Sequence, residues 1–189
     1  MSASRPAVNV KMRSFSKSLP MSLLLAREAV MNRFRPVLNL FNITEQQWRV
    51  LRALSSIREI EVMELAKATY LLAPSLSRIL RDMEARGLVE RRQAPEDLRR
   101  SLISISPTGV RLIDAVAPYA ETIYAEIAET FGKQQMEALQ QVCRDLTEVL
   151  NALPPPSLGK VAPDTEIGQM AGGSPRGRPR LARGEADEG

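Results

Sequence analysis

The sequence predicts a mainly α-helical fold carrying one small β wing, and three observations predict it. Apolar residues recur at steps of three, four and seven over most of residues 18–153, the rhythm of helices with one buried face. That rhythm breaks over 88–106 into two short alternating stretches around a polar, charged tip, which reads as a hairpin. Hydrophobic residues make up 44% of the 189, enough for a real core, and no run approaches the roughly 20 apolar residues that a membrane-spanning helix needs.

Residues 1–17 read as a basic flexible arm, with Arg5, Lys11, Arg13 and Lys17. The apolar run 19–26 behind them has the look of a short signal peptide, but Pro20 and Ser22 interrupt it and Arg27 and Glu28 follow without a clean cleavage site. Helical spacing begins after Ser18, where Leu24, Met31, Phe34, Leu38 and Phe41 share a face and Pro36 is expected to bend the last turns. Thr44-Glu45-Gln46-Gln47 is a capping box, with hydroxyl and amide each satisfying a backbone N–H that has no helical partner. It opens a second helix with Trp48, Leu51 and Leu54 inward. A short extended piece lies around 59–61, and Val62, Leu65 and Ala66 mark a third, short helix ending near Thr69.

Residues 70–74 make a turn, and Pro74 suits the first turn of the next helix. Leu76, Ile79, Leu80 and Met83 form its inner stripe, Gly87 stops it, and Leu88 can pack back on it. Two strand-like stretches follow, 88–93 and 101–106, with 94–100 as the hairpin tip. Pro107 opens a long helix to about Phe131, with Ile113, Val116, Ala120, Ile123 and Ile127 in step and Pro118 expected to bend it. After Gly132 a last helix carries Leu139, Val142, Leu146, Val149 and Leu153 on one face. Long amphipathic helices at both ends exceed what a small core needs, and their surplus apolar faces point to a homodimer. Residues 154–189, opened by Pro154-Pro155-Pro156 and rich in Pro, Gly and charge, read as a disordered tail.

Composition removes several function classes. There is no histidine and one cysteine, Cys143, so zinc sites and triads built on histidine have no residues behind them. No phosphate-binding or dinucleotide-binding glycine motif is present. The reading is therefore not an enzyme: no catalytic residue, no metal and no cofactor. A lone cysteine suits a reducing, cytoplasmic setting, and Cys143 reads as a packed thiol. The formal net charge of +4 suits a polyanionic partner.

Short helix, turn, second helix and hairpin together make a winged helix-turn-helix, with residues 44–106 as the part that would read DNA. The outward face of the second helix offers Ser75, Ser77, Arg78 and Arg81, types that reach base edges and phosphates in a major groove. Taken alone, this face is equally a solvated basic surface, tempered by Asp82 and Glu84. The hairpin adds Arg91, Arg92, Arg99 and Arg100, and an arginine on a thin wing can enter a narrow minor groove. Asp97, two residues before Arg99, can orient its guanidinium. In the tail, Pro175-Arg176-Gly177-Arg178-Pro179-Arg180 looks like an AT-hook core, with Arg176 and Arg178 suited to an A·T-rich minor groove; an ordinary basic linker fits it as well.

The run Leu80-Arg81-Asp82-Met83-Glu84-Ala85-Arg86-Gly87-Leu88-Val89-Glu90-Arg91 resembles the MarR family of regulators. So does Asp97-Leu98-Arg99-Arg100-Ser101 with the following Leu102-Ile103-Ser104-Ile105-Ser106-Pro107-Thr108-Gly109. The resemblance covers about residues 18–153. It implies a two-fold dimer on double-stranded DNA at a palindromic operator, one helix of each half in a major groove and one wing in the flanking minor groove. Residues 26–39 and 44–52 are similar, more narrowly, to the regulators of homoprotocatechuate degradation, which implies a repressor released by a small aromatic carboxylate. Such a ligand needs a cation, an aromatic wall and a polar group for a phenol. Arg27, Trp48, Arg52 and Tyr124 supply those types, with Ser18 and Glu45 as weaker additions. The bland alternative is that Trp48 is core and the arginines pair with Glu28 or Glu45. Other readings stay open: a MarR-like regulator with another effector, none, or oxidant sensing through Cys143, and an architectural DNA binder of no sequence preference.

Overall fold

The computed structural model describes residues 12–155, apart from the side chains at 98 and 99. A single 3-10 turn, Phe15–Lys17, precedes α1 (Leu19–Leu40) and α2 (Glu45–Leu54). Then come β1 (Ile60–Glu61), α3 (Val62–Thr69), α4 (Ala73–Ala85), β2 (Val89–Ala94), β3 (Asp97–Ile105), α5 (Pro107–Phe131) and α6 (Lys133–Ala152). The three strands form one antiparallel sheet in the order β1-β3-β2. A mainly helical chain with a small wing is what the spacing predicts. The motif at Arg176 and Arg178 lies outside the described residues.

Two packed clusters hold residues up to 137 together. In the first, Leu51 and Leu54 of α2, Leu65 of α3, and Leu76, Leu80 and Met83 of α4 close over Ile103 of β3. Full burial of such side chains stabilises by about 1.5–3 kcal/mol each. In the second, Phe34 and Leu38 of α1 and Ile43 meet Val116, Ala120 and Ile123 of α5. Trp48 and Leu112 are half-buried and pack against both clusters, so α2 is the joint between them. The capping box forms as spaced: Gln47 N donates to Thr44 Oγ1 at 3.2 Å and Thr44 N to Gln47 Oε1 at 2.8 Å. The amide nitrogen of Gln47 then donates to Asp82 Oδ2 at 2.6 Å, tying the start of α2 to α4.

The wing differs from the expected one. Residues 94–100 do not form a broad tip, because strand pairing continues to Ala94↔Asp97. The register jumps between that pair and Gln93↔Ser101, leaving residues 98–100 opposite no partner, a bulge in β3. Polarity misled the sequence reading here. The expected first strand, 88–93, matches β2 to within a residue; it is the start of β3 that reads as tip, where the charged residues Asp97 and Arg100 are exposed.

Two apolar surfaces are left uncovered among the described residues. Leu24, expected on the inner face of α1, is 46% exposed, and Leu19, Leu23, Leu25 and Val30 are open as well. No residue of α6 is buried. Cys143, expected packed, is exposed for the same reason: its helix has no buried face in a single chain.

One junction fixes the wing to α5. α4 ends in a Schellman motif, with Leu88 N donating to Met83 O and Gly87 N to Glu84 O, both at 2.9 Å, and Gly87 at φ +64°. Ser106 caps α5 by accepting from Gly109 N at 3.0 Å and donates to Gly87 O at 2.6 Å. Gly109 is pressed against this turn, where a Cβ would lie 2.2 Å from Leu88 O and 2.8 Å from Ile105 Cγ1. The backbone oxygen cannot swing aside. Gly109→Ala is therefore expected to destabilise the fold by about 1–3 kcal/mol, the usual range for overpacking. Urea unfolding checks it, and a wild-type midpoint would show that α5 does not sit this close.

Candidate nucleic-acid interface and effector pocket

The helix-turn-helix is made by backbone geometry at the end of α3. Tyr70 takes the left-handed conformation, φ 52°, and Leu71 N donates to Ala66 O at 3.1 Å. The chain reverses and α4 starts with Pro74 in its first turn. Burying Leu76, Leu80 and Met83 leaves Ser77, Arg78 and Arg81 exposed on the opposite face and Ser75 half-buried beside them. Ser77 Oγ donates back to Ala73 O at 2.9 Å, and Arg78 makes no ion pair among the described residues.

Three of the wing arginines, Arg91, Arg92 and Arg100, are engaged within the chain. Arg91 Nε lies 3.1 Å from Glu84 of α4, Arg92 holds Glu59 at 2.5 and 2.8 Å, and Arg100 pairs with Glu61 of β1. Exposed pairs of this kind are worth about 0–1 kcal/mol, so exchanging a carboxylate for a phosphate costs little. Asp97 stands at the tip opposite Ala94, and the backbone of Arg99 lies in the bulge.

Behind the reading head is a cavity of about 480 Å³, where α1, α2, the end of α3 and α5 meet. It gathers five of the six residues expected to hold a ligand: Arg27, Glu45, Trp48, Arg52 and Tyr124. Ser18 is not among its lining residues; it stands at the start of α1, its hydroxyl donating to Phe15 O at 3.0 Å. The ring of Tyr124 packs on Phe34 with centroids 5.0 Å apart. The guanidinium carbon of Arg52 sits 6.0 Å from the centroid of Trp48, within cation–π range.

The cations divide into two kinds. Arg27 donates to Glu28 at 2.5 Å and to Glu45 at 3.0 Å, and Arg35 donates to the same two carboxylates at 2.5 and 3.4 Å. This four-membered network ties α1 to α2. The hydrogen bond from Arg35 holds the Glu28 carboxyl below the usual carboxylate range, with both arginine charges adding to it against some desolvation. A depressed folded value means that the pairing stabilises above the ordinary carboxylate pKa and is lost as pH falls below it. Arg52 has no carboxylate partner among the described residues. Neither has Arg49, which the sequence reading passed over; its Nη1 donates to the Thr69 carbonyl at 3.1 Å. The missed signal was spacing, since Glu45, Trp48, Arg49 and Arg52 recur at i, i+3, i+4 and i+7, one face of α2.

Comparison with known proteins gives the family and the fold. The profile of the MarR family matches residues 41–100. The chain is 35% identical over 136 residues to the HTH-type transcriptional regulator FarR of Neisseria gonorrhoeae, covering 72% of this chain and 93% of that one. It is 36% identical over 135 residues to the homoprotocatechuate degradative operon repressor of Escherichia coli, covering 71% and 91%. The crystal structure of NadR in complex with 4-hydroxyphenylacetate superposes with a TM-score of 0.63 at 34% identity, covering 72% of this chain and 97% of that one.

Proposed function

This chain belongs to the MarR family, and we propose that it is a dimeric repressor of an aromatic-acid catabolic operon, released from its operator by the acid itself. The observation that carries this reading is the cavity behind the helix-turn-helix: it holds an arginine stacked on a tryptophan and a tyrosine, the three groups a hydroxyarylacetate needs. The name of the Escherichia coli relative and the ligand of NadR support the same chemistry.

In this reading a second copy of the chain covers the open apolar residues of α1, Leu23 and Leu24 among them, and those of α6, Val142 and Val149 among them. Ser75, Ser77, Arg78 and Arg81 face a major groove, and two copies of α4 reach successive grooves roughly 34 Å apart. Arg91, Asp97, Arg99 and Arg100 serve the flanking minor groove and its phosphates, and Arg176 and Arg178 of the tail add a second minor-groove contact. The acid enters with its carboxylate on Arg52, its ring against Trp48 and its phenol toward Tyr124. Arg27 and Glu45 form the wall. Because α2 joins both core clusters, a ligand there favours one spacing of the reading heads, by as much as its affinities for the two states differ. The protein works in the cytoplasm, where the DNA is.

Footprinting on the promoter region of its own gene tests the DNA half of this reading. A short protected palindrome is expected. Diffuse protection without a boundary would mean non-specific packing of DNA and would end the repressor reading.

A further inference from the structure

Arg49 stands between the cavity and the reading head. It lies on the same face of α2 as Trp48 and Arg52, and it lines the cavity. Its Nη1 donates to the carbonyl of Thr69, the last residue of α3, which is buried. The next residue is Tyr70, whose left-handed backbone begins the turn into α4. Carbonyls in the last turn of a helix lack a helical amide and carry the negative end of the helix dipole. Arg49 therefore caps α3 from across the cavity. A carboxylate accepts from a guanidinium more strongly than a neutral carbonyl does, because both partners are charged and the two can pair through a fork of parallel N–H···O bonds.

The geometry points to Arg49 as the residue through which a bound carboxylate acts on the DNA-reading elements. This rests on the aromatic-acid reading above. A carboxylate entering beside Arg52 recruits Arg49 as its second donor and draws it from Thr69, leaving the end of α3 uncapped at the turn into α4. Arg52 stacks on Trp48 and bonds nothing on α3 or α4, so it anchors the acid without transmitting. Arg27, already held by Glu28 and Glu45, does neither. Anchoring and release fall to different arginines of one helix.

The test uses the full chain, the footprinted operator and 4-hydroxyphenylacetate as probe. The readout is the ratio of operator Kd at plateau acid to operator Kd without acid. For the wild type a ratio in the usual range for coupled sites, about 5–150, is expected. Arg52→Gln should raise the acid concentration needed by about tenfold or more, the loss of a hydrogen bond to a charged group, yet reach the wild-type ratio at plateau. Arg49→Gln leaves α3 without this cap whether or not acid is present, so its operator Kd without acid should already lie near that of the acid-saturated wild type, and its ratio close to one. Arg49→Lys, a point charge without the planar fork that matches a carboxylate, should lower the ratio in the same direction, and it decides the matter if Arg49→Gln melts early. A wild-type ratio in the Arg49 variants overturns the inference alone. A wild type that binds no acid up to millimolar concentration overturns the aromatic-acid reading and this inference with it.

Discussion

Trp48→Ala is expected to lower stability by about 3 kcal/mol and to abolish the response to aromatic acid in the same variant. Truncation of a buried aromatic residue costs about 3–5 kcal/mol, and the partial exposure of Trp48 places it at the low end. The position makes the loss consequential. Trp48 packs against both clusters, one made by α2, α3, α4 and β3, the other by α1 and α5. Removing it loosens the joint between the two clusters and strips Arg52 of the ring it lies over. Trp48→Phe separates the two effects: it keeps most of the packing and presents a smaller, weaker π face to the guanidinium. Urea unfolding followed by far-UV dichroism checks the stability, and acid titration by calorimetry checks the site. A loss below about 1 kcal/mol would show that the clusters are held together elsewhere.

The second large effect is expected on the wing. Arg99→Ala should weaken operator binding by about 1–3 kcal/mol, the range for losing a specific arginine contact. Asp97→Ala should weaken it less, because an orienting carboxylate acts only through its arginine. The bulge at 98–100 supports the choice, since bulges re-aim side chains and interrupt pairing where a strand has another task. Arg91→Ala and Arg92→Ala provide the contrast. Their guanidiniums are held by Glu84 and Glu59 at the root of the wing, so their loss should lower the salt dependence of binding more than its sequence preference. Fluorescence anisotropy over a salt series separates the two kinds. Unchanged operator affinity for Arg99→Ala would remove the wing from DNA recognition.

Elements with a buried face were legible because burial writes a period into the sequence. Leu76, Leu80 and Met83 fixed α4, and the Thr44–Gln47 box fixed the start of α2 to the residue. Legibility failed where burial was absent. The start of β3, with Asp97 and Arg100 charged and exposed, reads like a loop. Leu24 and Cys143 lie on helical faces that have no cover in one chain, and periodicity does not say whether an apolar stripe is covered by the same chain or by another copy. The pocket was legible through the resemblance over 26–39 and 44–52, with residue types, cation, aromatic and phenol, in support; the structure lines one cavity with Arg27, Trp48, Arg52 and Tyr124. Partners were legible only in part. The pairing of Arg27 with Glu28 and Glu45 stood as the bland alternative and is what the structure has, whereas the sharing of both carboxylates with Arg35 and the reach of Arg49 to Thr69 depend on how α1 and α3 approach α2.

The central claim is that a carboxylate in the cavity releases DNA. The most direct measurement titrates 4-hydroxyphenylacetate into a preformed complex of the protein with its operator, beside 2-(4-hydroxyphenyl)ethanol, which keeps ring and phenol but has no carboxylate. Release by the acid at concentrations where the alcohol leaves the complex intact is the predicted result. Equal release by both compounds, or by neither at millimolar concentration, would contradict it.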